Sequence, residues 1–318
     1  MRETPRISPE PVPGIGAGAS PEISVVIPHL NQPDFLRRCL ASLRDQKNAP
    51  PHEIIVVDNG SPAPPEALCA EFGARLLHQP APGPGLARNA GVEAARAPIL
   101  AFIDADCHAD PGWLAAIAAR FAAPDIEILG GDVRIARDDP ANPTMLEAYE
   151  SVYAYRMEEY IRRQGFTGTG NLAIRRAVFD AVGPFGGIGI AEDRDWGQRA
   201  RAMGHVTRYA PEMRVHHPAR QTFVDLALKW DRQTAHDFAR MAPGASGRLK
   251  WLARTAAVAG SPAPEIVRIL RSDRVEGPRA RSLAFAGLVR IRLHRARRML
   301  MLGLGSDPAT MSDSWNRR

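Results

Sequence analysis

Residues 99–107 read Ile-Leu-Ala-Phe-Ile-Asp-Ala-Asp-Cys, or ILAFIDADC. Five core-grade apolar residues run straight into two acids one residue apart. The apolar half suits a strand covered on both faces, because continuous Ile, Leu and Phe leave no polar side for water. The acidic half cannot be buried cheaply. An unpaired carboxylate in an apolar interior costs roughly several kcal/mol, and two such groups repel. Asp104 and Asp106 therefore lie at a strand end within reach of water, or something cationic sits between them.

The same grammar extends outward on both sides. Residues 23–27 (ISVVI) predict a buried strand stopped by Pro28. Phe35, Leu36, Cys39, Leu40 and Leu43 then recur at helical spacing, with Asn31 available as a cap and Pro33 near the start. Residues 54–57 (IIVV) predict a second strand that ends in the turn sequence Asp58-Asn59-Gly60-Ser61. A helix over 66–72, a strand over 75–78, a Pro/Gly loop and a helix over 86–95 lead to ILAFIDADC, and a further helix covers 111–121. Strands alternating with helices predict an α/β chain with a mostly parallel sheet and helices on both faces. Ligands in such sheets bind beyond the carboxyl ends of the strands. His29-Leu30-Asn31, Asp58-Asn59 and Asp104-Ala105-Asp106 all fall at those ends, so topology gathers them on one rim.

Past a strand over 126–135 the rhythm changes. Residues 145–164 are helical and rich in Tyr, and their tyrosines read as core at helical spacing rather than as a sugar platform. GFTGTGNLAIRR (165–176) reads as a Gly-rich turn entering a strand, with a helix over 177–182. Another helix runs to about residue 203, short strands cover 206–209 and 213–216, and the chain beyond Gln221 is helical.

The 318 residues, 45% hydrophobic and 24% charged, suit a globular body with a sizeable core. No apolar run approaches the roughly 20 residues that span a bilayer. The Pro/Gly-rich leader 1–21 is expected to be disordered. Cys39, Cys69 and Cys107 lack metal-ligand spacing and read as buried and reduced, hence a cytoplasmic chain. The net charge of +6 is unevenly placed: residues 248–318 hold 15 basic and 5 acidic residues, against 26 and 30 in the rest. A basic tail on a mildly acidic body implies an anionic neighbour, either lipid or nucleic acid. The plain alternative is a composition that favours Arg.

Taken in order, IPHLNQ, IIVVDNGS, GLARNAG, ILAFIDADC, GTGNLAIRR, AEDRDW and VHHP resemble the family 2 glycosyltransferases of the GT-A fold, which transfer a sugar from a nucleotide-diphosphate donor. The resemblance spans about 23–220. It implies a GT-A-type, Rossmann-like, mostly parallel sheet in a domain over 22–220, after the leader 1–21 and before a helical basic extension over 221–318. It also implies an inverting, metal-dependent transferase acting on a saccharide or lipid-linked acceptor in cell-surface polysaccharide or glycoconjugate synthesis. The expected location is cytoplasmic, peripheral at the inner face of the membrane, with nucleic acid an unlikely partner.

Residue by residue, the resemblance assigns Asp106 to a divalent cation, Mn²⁺ or Mg²⁺, and Asp104 to the donor ribose or, through water, to the same ion. Hard cations prefer oxygen ligands and share them with substrate phosphates. Pro28, His29, Asn31 and Asp58 are expected at the nucleotide, with Arg88 and Asn89 completing the donor site. Glu192 and Asp193 resemble the acid pair on the acceptor side, with Asp193 as general base. Gly168, Gly170 and Asn171 are expected under the sugar and acceptor, and Trp196 beside the acceptor pocket. His217, rather than its neighbour His216, is the expected metal or diphosphate contact. Structural readings stand beside these: Asn31 as a helix cap, Asp58 in an Asx turn, Arg88 on a helix surface, Asp193 at a helix start and His217 in a strand loop. Gly83-Pro84-Gly85-Leu86-Ala87 is no dinucleotide fingerprint, since it lacks the final glycine spacing and follows the third strand. Two other functions share these features: a sugar nucleotidyltransferase, disfavoured because Pro28-His29-Leu30-Asn31 stands where a Gly-rich loop would, and a catalytically silent binding module.

Overall fold

The computed structural model describes residues 20–137, 139–241 and 244–305. The expected leader 1–21, apart from its last two residues, lies outside them, as does the chain from 306 onward. The chain forms two compact units: residues up to Arg134 with Tyr155–His217, and Ile135–Ala154 with Pro218 onward.

The first unit opens with β1 (Ile23–His29), α1 (Pro33–Arg44), β2 (His52–Asp58), α2 (Glu66–Glu71), β3 (Arg75–His78), α3 (Pro84–Ala94) and β4 (Ile99–Ile103). Strand and helix alternate as the apolar pattern predicts. The four strands pair in parallel, with Ile23 opposite both His52 and Ile99. β1 does not stop at Pro28 but runs to His29, which pairs with Asp58. Then follow β5 (His108–Ala109), α4 (Trp113–Phe121) and β6 (Ile128–Ala136). Next come α5 (Met145–Tyr153), α6 (Met157–Gln164), β7 (Asn171–Arg175), α7 (Arg176–Val182), α8 (Glu192–Ala202) and β8 (Thr207–Pro218). Among the described residues the sheet order is β3-β2-β1-β4-β7-β6-β8-β5, with β7 antiparallel to β4 and to β6. The fold is thus an α/β sandwich on a mixed, mostly parallel sheet.

Side chains alternate across the strands and fill two cores. Ile23, Val25, Ile27, Ala101 and Ile103 meet Leu36, Leu40, Trp113 and Leu114 on one face. Val26, Val57, Leu100 and Phe102 meet Val92, Phe179, Phe185 and Trp196 on the other. ILAFI is therefore apolar throughout because both of its faces are covered.

Three further expectations about these elements differ in the structure. The helix expected over 145–164 is broken at Tyr155, whose φ of 49° lies in the left-handed region that bulky residues rarely adopt. The two strands expected over 206–216 are one continuous β8, since Pro211 tolerates extended backbone. Asn31 does not cap α1: Gln32 holds that position without a side-chain bond, and Asn31 is exposed at φ 54°.

Asn171, expected in a sugar pocket, is fully buried. Its carbonyl oxygen accepts from Trp113 Nε1 at 2.9 Å, and its Nδ2 donates to the carbonyls of Asp132 and Met213, each at 2.8 Å. Every polar face of the amide that β7 offers is spent tying together strands and α4. Trp196 is likewise core, packed on Phe179 and Phe185 with its indole N–H on the Gly183 carbonyl.

The second unit adds α9 (Phe223–Ala239), α10 (Ala245–Gly260), α11 (Pro262–Arg271) and α12 (Gly277–Gly303) to α5. Capping boxes start α5 (Thr144 with Glu147) and α9 (Thr222 with Asp225). One stripe of α12, Ala284, Leu288, Ile291 and Met299 among it, is buried at three-and-four spacing, while Leu293, Leu300 and Met301 are exposed. Arg290 lies over Phe223, buried Arg295 over Trp230, and Arg298 beside Asp231. Three arginines of the tail expected to reach an anionic surface are therefore committed inside its own unit. Arg295 within the buried stripe explains why no clean polar face shows in the sequence.

Asn171→Ala strands the Trp113 N–H and two carbonyls in the core, so urea unfolding is expected to show a loss of about 3 kcal/mol. Unchanged stability with a raised KM for the sugar donor would return Asn171 to the substrate.

Candidate active site

The carboxyl ends of β1, β2 and β4 form a polar rim, and hydrogen bonds link it into three groups. In the first, His29 and Asp58 are buried side by side, with Nδ1 3.0 Å from Asp58 Oδ1. The backbone N–H of Gln32 donates to His29 Nε2 at 3.2 Å, so the ring carries its proton on Nδ1 and donates it to Asp58. Gly60 and Ser61 N–H groups hold the other carboxylate oxygen. Burial pushes the Asp58 carboxyl up, but the Ser61, His29 and backbone hydrogen bonds outweigh it and leave the group below the usual carboxylate range. The His29 imidazole, expected at the nucleotide, is consumed in positioning Asp58. Ser61 Oγ accepts the backbone N–H of Asn31, which pins the loop after β1 against the loop after β2.

The second group is an ion triad. Arg88, almost fully buried on the first turns of α3, donates from Nη2 to Asp104 at 2.6 Å and from Nη1 to Glu192 at 3.0 Å. A planar guanidinium can meet two carboxylates at once, which an ammonium cannot do with the same geometry. Gly170 lies against Asp104: a Cβ there would come 2.5 Å from its Oδ2, so only glycine admits the carboxylate. The loop that leads into β7 is thereby fixed beside Asp104. Gly168 packs instead toward the Met157 side chain.

The third group is Asp106 with His217, whose Nε2 lies 3.2 Å from Asp106 Oδ2. His217 also meets the Tyr155 hydroxyl at 3.0 Å, and the two ring centroids lie 4.6 Å apart with the planes tilted by 36°. Burial raises the Asp106 carboxyl, yet the His217 hydrogen bond and charge bring it below the usual range. His216 faces the other way, on Asp110 at 2.8 Å and stacked with His108. The strand period explains the choice, since neighbouring residues of β8 point to opposite faces. Tyr155 is the site residue missed in sequence; its helical spacing hid a left-handed break that turns the ring onto His217.

Asp193 stands in the first turn of α8 with Glu192 and Asp195. Burial raises its carboxyl above the usual range, an effect that the Arg194 backbone N–H opposes and the charge of Glu192 reinforces. Asn89, expected in the donor site, turns its amide to the backbone. Its amide pairs with the backbone of Phe185, donating at 3.0 Å and accepting at 2.9 Å, and so clamps the loop before α8. Cys39, Cys69 and Cys107 are buried and free, and burial pushes all three thiols up, which makes them inert.

Among the described residues no three His, Cys, Asp or Glu side chains form a complete metal cage. Asp106 and His217 nonetheless bring a carboxylate oxygen and an imidazole nitrogen together, with Asp104 two residues away. That donor set fits an ion shared with substrate phosphates and water, the usual arrangement for Mg²⁺ and its relatives.

Acids, an arginine and a histidine thus gather at the carboxyl rim of a mostly parallel α/β sheet, where ligands of such sheets bind. Residues 24–183 match Glycosyl transferase family 2, and the chain belongs to that family. Glu192, Asp193 and His217 lie beyond the matched segment. Glycosyltransferase AglE of Haloferax volcanii is 31% identical over 208 residues, covering 63% of this chain and 68% of that protein. Pre-mycofactocin glycosyltransferase of Mycobacterium tuberculosis is 28% identical over 259 residues, covering 78% of this chain and 48% of that protein. The fold is shared with mannosyltransferase PcManGT from Pyrobaculum calidifontis, solved with GDP-Man and Mn²⁺, at a TM-score of 0.56 and 15% identity over 97% of this chain and 92% of that one.

Arg88→Lys keeps the charge but loses the two-armed grip. The expected result is a drop of about tenfold or more in kcat/KM with the midpoint of thermal unfolding within a few degrees of wild type. Unchanged kinetics would remove the triad from the site.

Proposed function

We propose that the chain is an inverting transferase that moves a sugar from a nucleoside-diphosphate donor to a hydroxyl of a saccharide or lipid-linked acceptor. A divalent cation, Mn²⁺ or Mg²⁺, assists, and the pathway is cell-surface polysaccharide or glycoconjugate synthesis. The transfer domain is residues 22–220, and the enzyme works at the inner face of the membrane. The single observation that carries this reading is the Arg88 bridge, which ties the acid at the end of β4 to the acid that opens α8. The bound ligands of PcManGT, GDP-Man and Mn²⁺, support the donor class.

In this reading Asp58 and the backbone of Pro28–Asn31 receive the nucleoside, with His29 holding Asp58 in place. Asp106 and His217 would hold the cation, and Asp104 orients the donor while Arg88 balances its charge. When bound, the ion supplies positive charge to the departing diphosphate. Glu192, fixed by Arg88, sets the start of α8 so that Asp193 faces the acceptor. Asp193 takes the acceptor's hydroxyl proton as that oxygen bonds to the anomeric carbon, on the face opposite the diphosphate. The carbon–oxygen bond to the diphosphate breaks, and its electron pair leaves with the nucleotide. A raised carboxyl suits this base, because a stronger base takes the proton more readily.

A panel of nucleotide sugars with Mn²⁺ or Mg²⁺, scored for released nucleoside diphosphate and for glycosylated product, tests the assignment. Asp106→Asn is expected to lower turnover by at least about a hundredfold, and release of pyrophosphate instead of nucleoside diphosphate would contradict it. The base role fixes a pH response. Asp193 must be deprotonated to act, so with a raised carboxyl the acid limb of kcat/KM is expected above the ordinary Asp range. A limb at or below that range would assign the base elsewhere.

A further inference from the structure

We propose that α10 and α11 form an interfacial surface that rests on anionic lipid, with their outward apolar faces in the headgroup boundary and their Arg and Lys flanks on lipid phosphates. The surface deepens the membrane contact of the proposed function and rests on it, but moves it from α12 to named residues elsewhere in the second unit.

The outward face of α10 is apolar from Leu249 to Ala257. Leu249, Leu252, Ala253, Ala256 and Ala257 share one side at helical spacing, all exposed, with Leu249 at 70%. Gly247, Trp251 and Thr255 occupy the opposite, buried side. Arg248 borders the outward face on one edge, Lys250 and Arg254 on the other. After Ser261 alone, α11 repeats the device: Ala263, Ile266, Val267 and Leu270 face water, Leu270 at 55%, while Pro262 and Ile269 are buried. A soluble helix normally turns such a stripe inward. Here the core of the unit is already filled by α5, α9 and α12, so the outward stripes are surplus to packing.

Charge decides the occupant. Across 245–271 the chain carries Arg248, Lys250, Arg254, Arg268 and Arg271 against one acid in the segment, Glu265, which is paired to Arg268 at 3.4 Å. Arg254 is paired to Asp237 of α9 at 2.6 Å, so Arg248, Lys250 and Arg271 carry the surplus charge. Aliphatic side chains bordered by cations match an anionic bilayer, where apolar burial and attraction to phosphates add. A second copy would bring like-charged rims together across a self-complementary interface. The outward faces also lack the aromatic residues in which protein interfaces are enriched. Beside α10 a cavity of about 350 Å³, walled by Arg240, Lys250, Trp251 and Arg254 with Asp237, has room and charge for one headgroup.

The full chain is tested by flotation with vesicles of phosphatidylcholine containing about one-third phosphatidylglycerol, and with phosphatidylcholine alone. The wild type is expected to float with the anionic vesicles only and to be released by about 0.5 M NaCl. Leu249→Glu with Leu270→Glu alters exposed positions, so circular dichroism and melting stay near wild type while the bound fraction falls about tenfold or more. Wild type that stays unbound overturns the proposal, as does a double variant that floats unchanged. A dimer in light scattering that the double variant dissolves, without flotation, would assign the surface to a second copy instead. Sugar transfer to a water-soluble acceptor, run on the same samples, keeps the two readings apart. Lost flotation with intact transfer condemns this surface alone, and intact flotation without transfer condemns the assigned chemistry.

Discussion

One guanidinium reconciles the acids that the fold forces together. The rim of a mostly parallel sheet gathers whatever follows each strand, so the partly buried Asp104 and the start of α8 meet beside one another. Like charges there repel more strongly than in water. Arg88, itself nearly buried, answers both Asp104 and Glu192 with separate arms of one planar group. Geometry and charge balance come from the same residue, and α3, β4 and α8 are held in register by it. Replacing such a bridge with apolar groups could leave the fold intact, since buried ion pairs often do little for net stability. Its presence is better explained by what the aligned acids do.

Around that triad the remaining polar groups divide labour between holding and acting. His29 orients Asp58, Asn89 fixes the loop at Phe185, and Asn171 ties β7 to α4 through Trp113. Each spends all or most of its hydrogen-bonding capacity on protein. Asp106, Asp193 and His217, the groups proposed to act, retain partial exposure. Satisfaction of hydrogen bonds thus separates scaffold from chemistry more sharply than residue type does.

Much of this was legible in the sequence. ILAFIDADC foretold a strand covered on both faces that ends in acids at a rim, because period and polarity change together at Ile103. Topology alone set Asp58 at the end of β2 and Asp104 and Asp106 just past β4. What stayed hidden were partners distant in the chain. Nothing near Asn171 in sequence reveals Trp113, and nothing near Arg88 reveals Glu192, 104 residues away. The break at Tyr155 was hidden for another reason: its side chain continues a helical pattern that its backbone abandons. In the second unit, composition showed a basic region but not that Arg290, Arg295 and Arg298 are committed to Phe223, Trp230 and Asp231.

The central claim is that the crevice beside Arg88 seats a divalent ion together with a nucleoside diphosphate. Its most direct test is anomalous diffraction from crystals grown with Mn²⁺ and a nucleoside diphosphate. The account predicts one manganese peak within bonding distance of Asp106 and His217 Nε2, bridged to the diphosphate. A peak bound elsewhere, with Asp106 still paired directly to His217 and the nucleotide outside the rim, would contradict it.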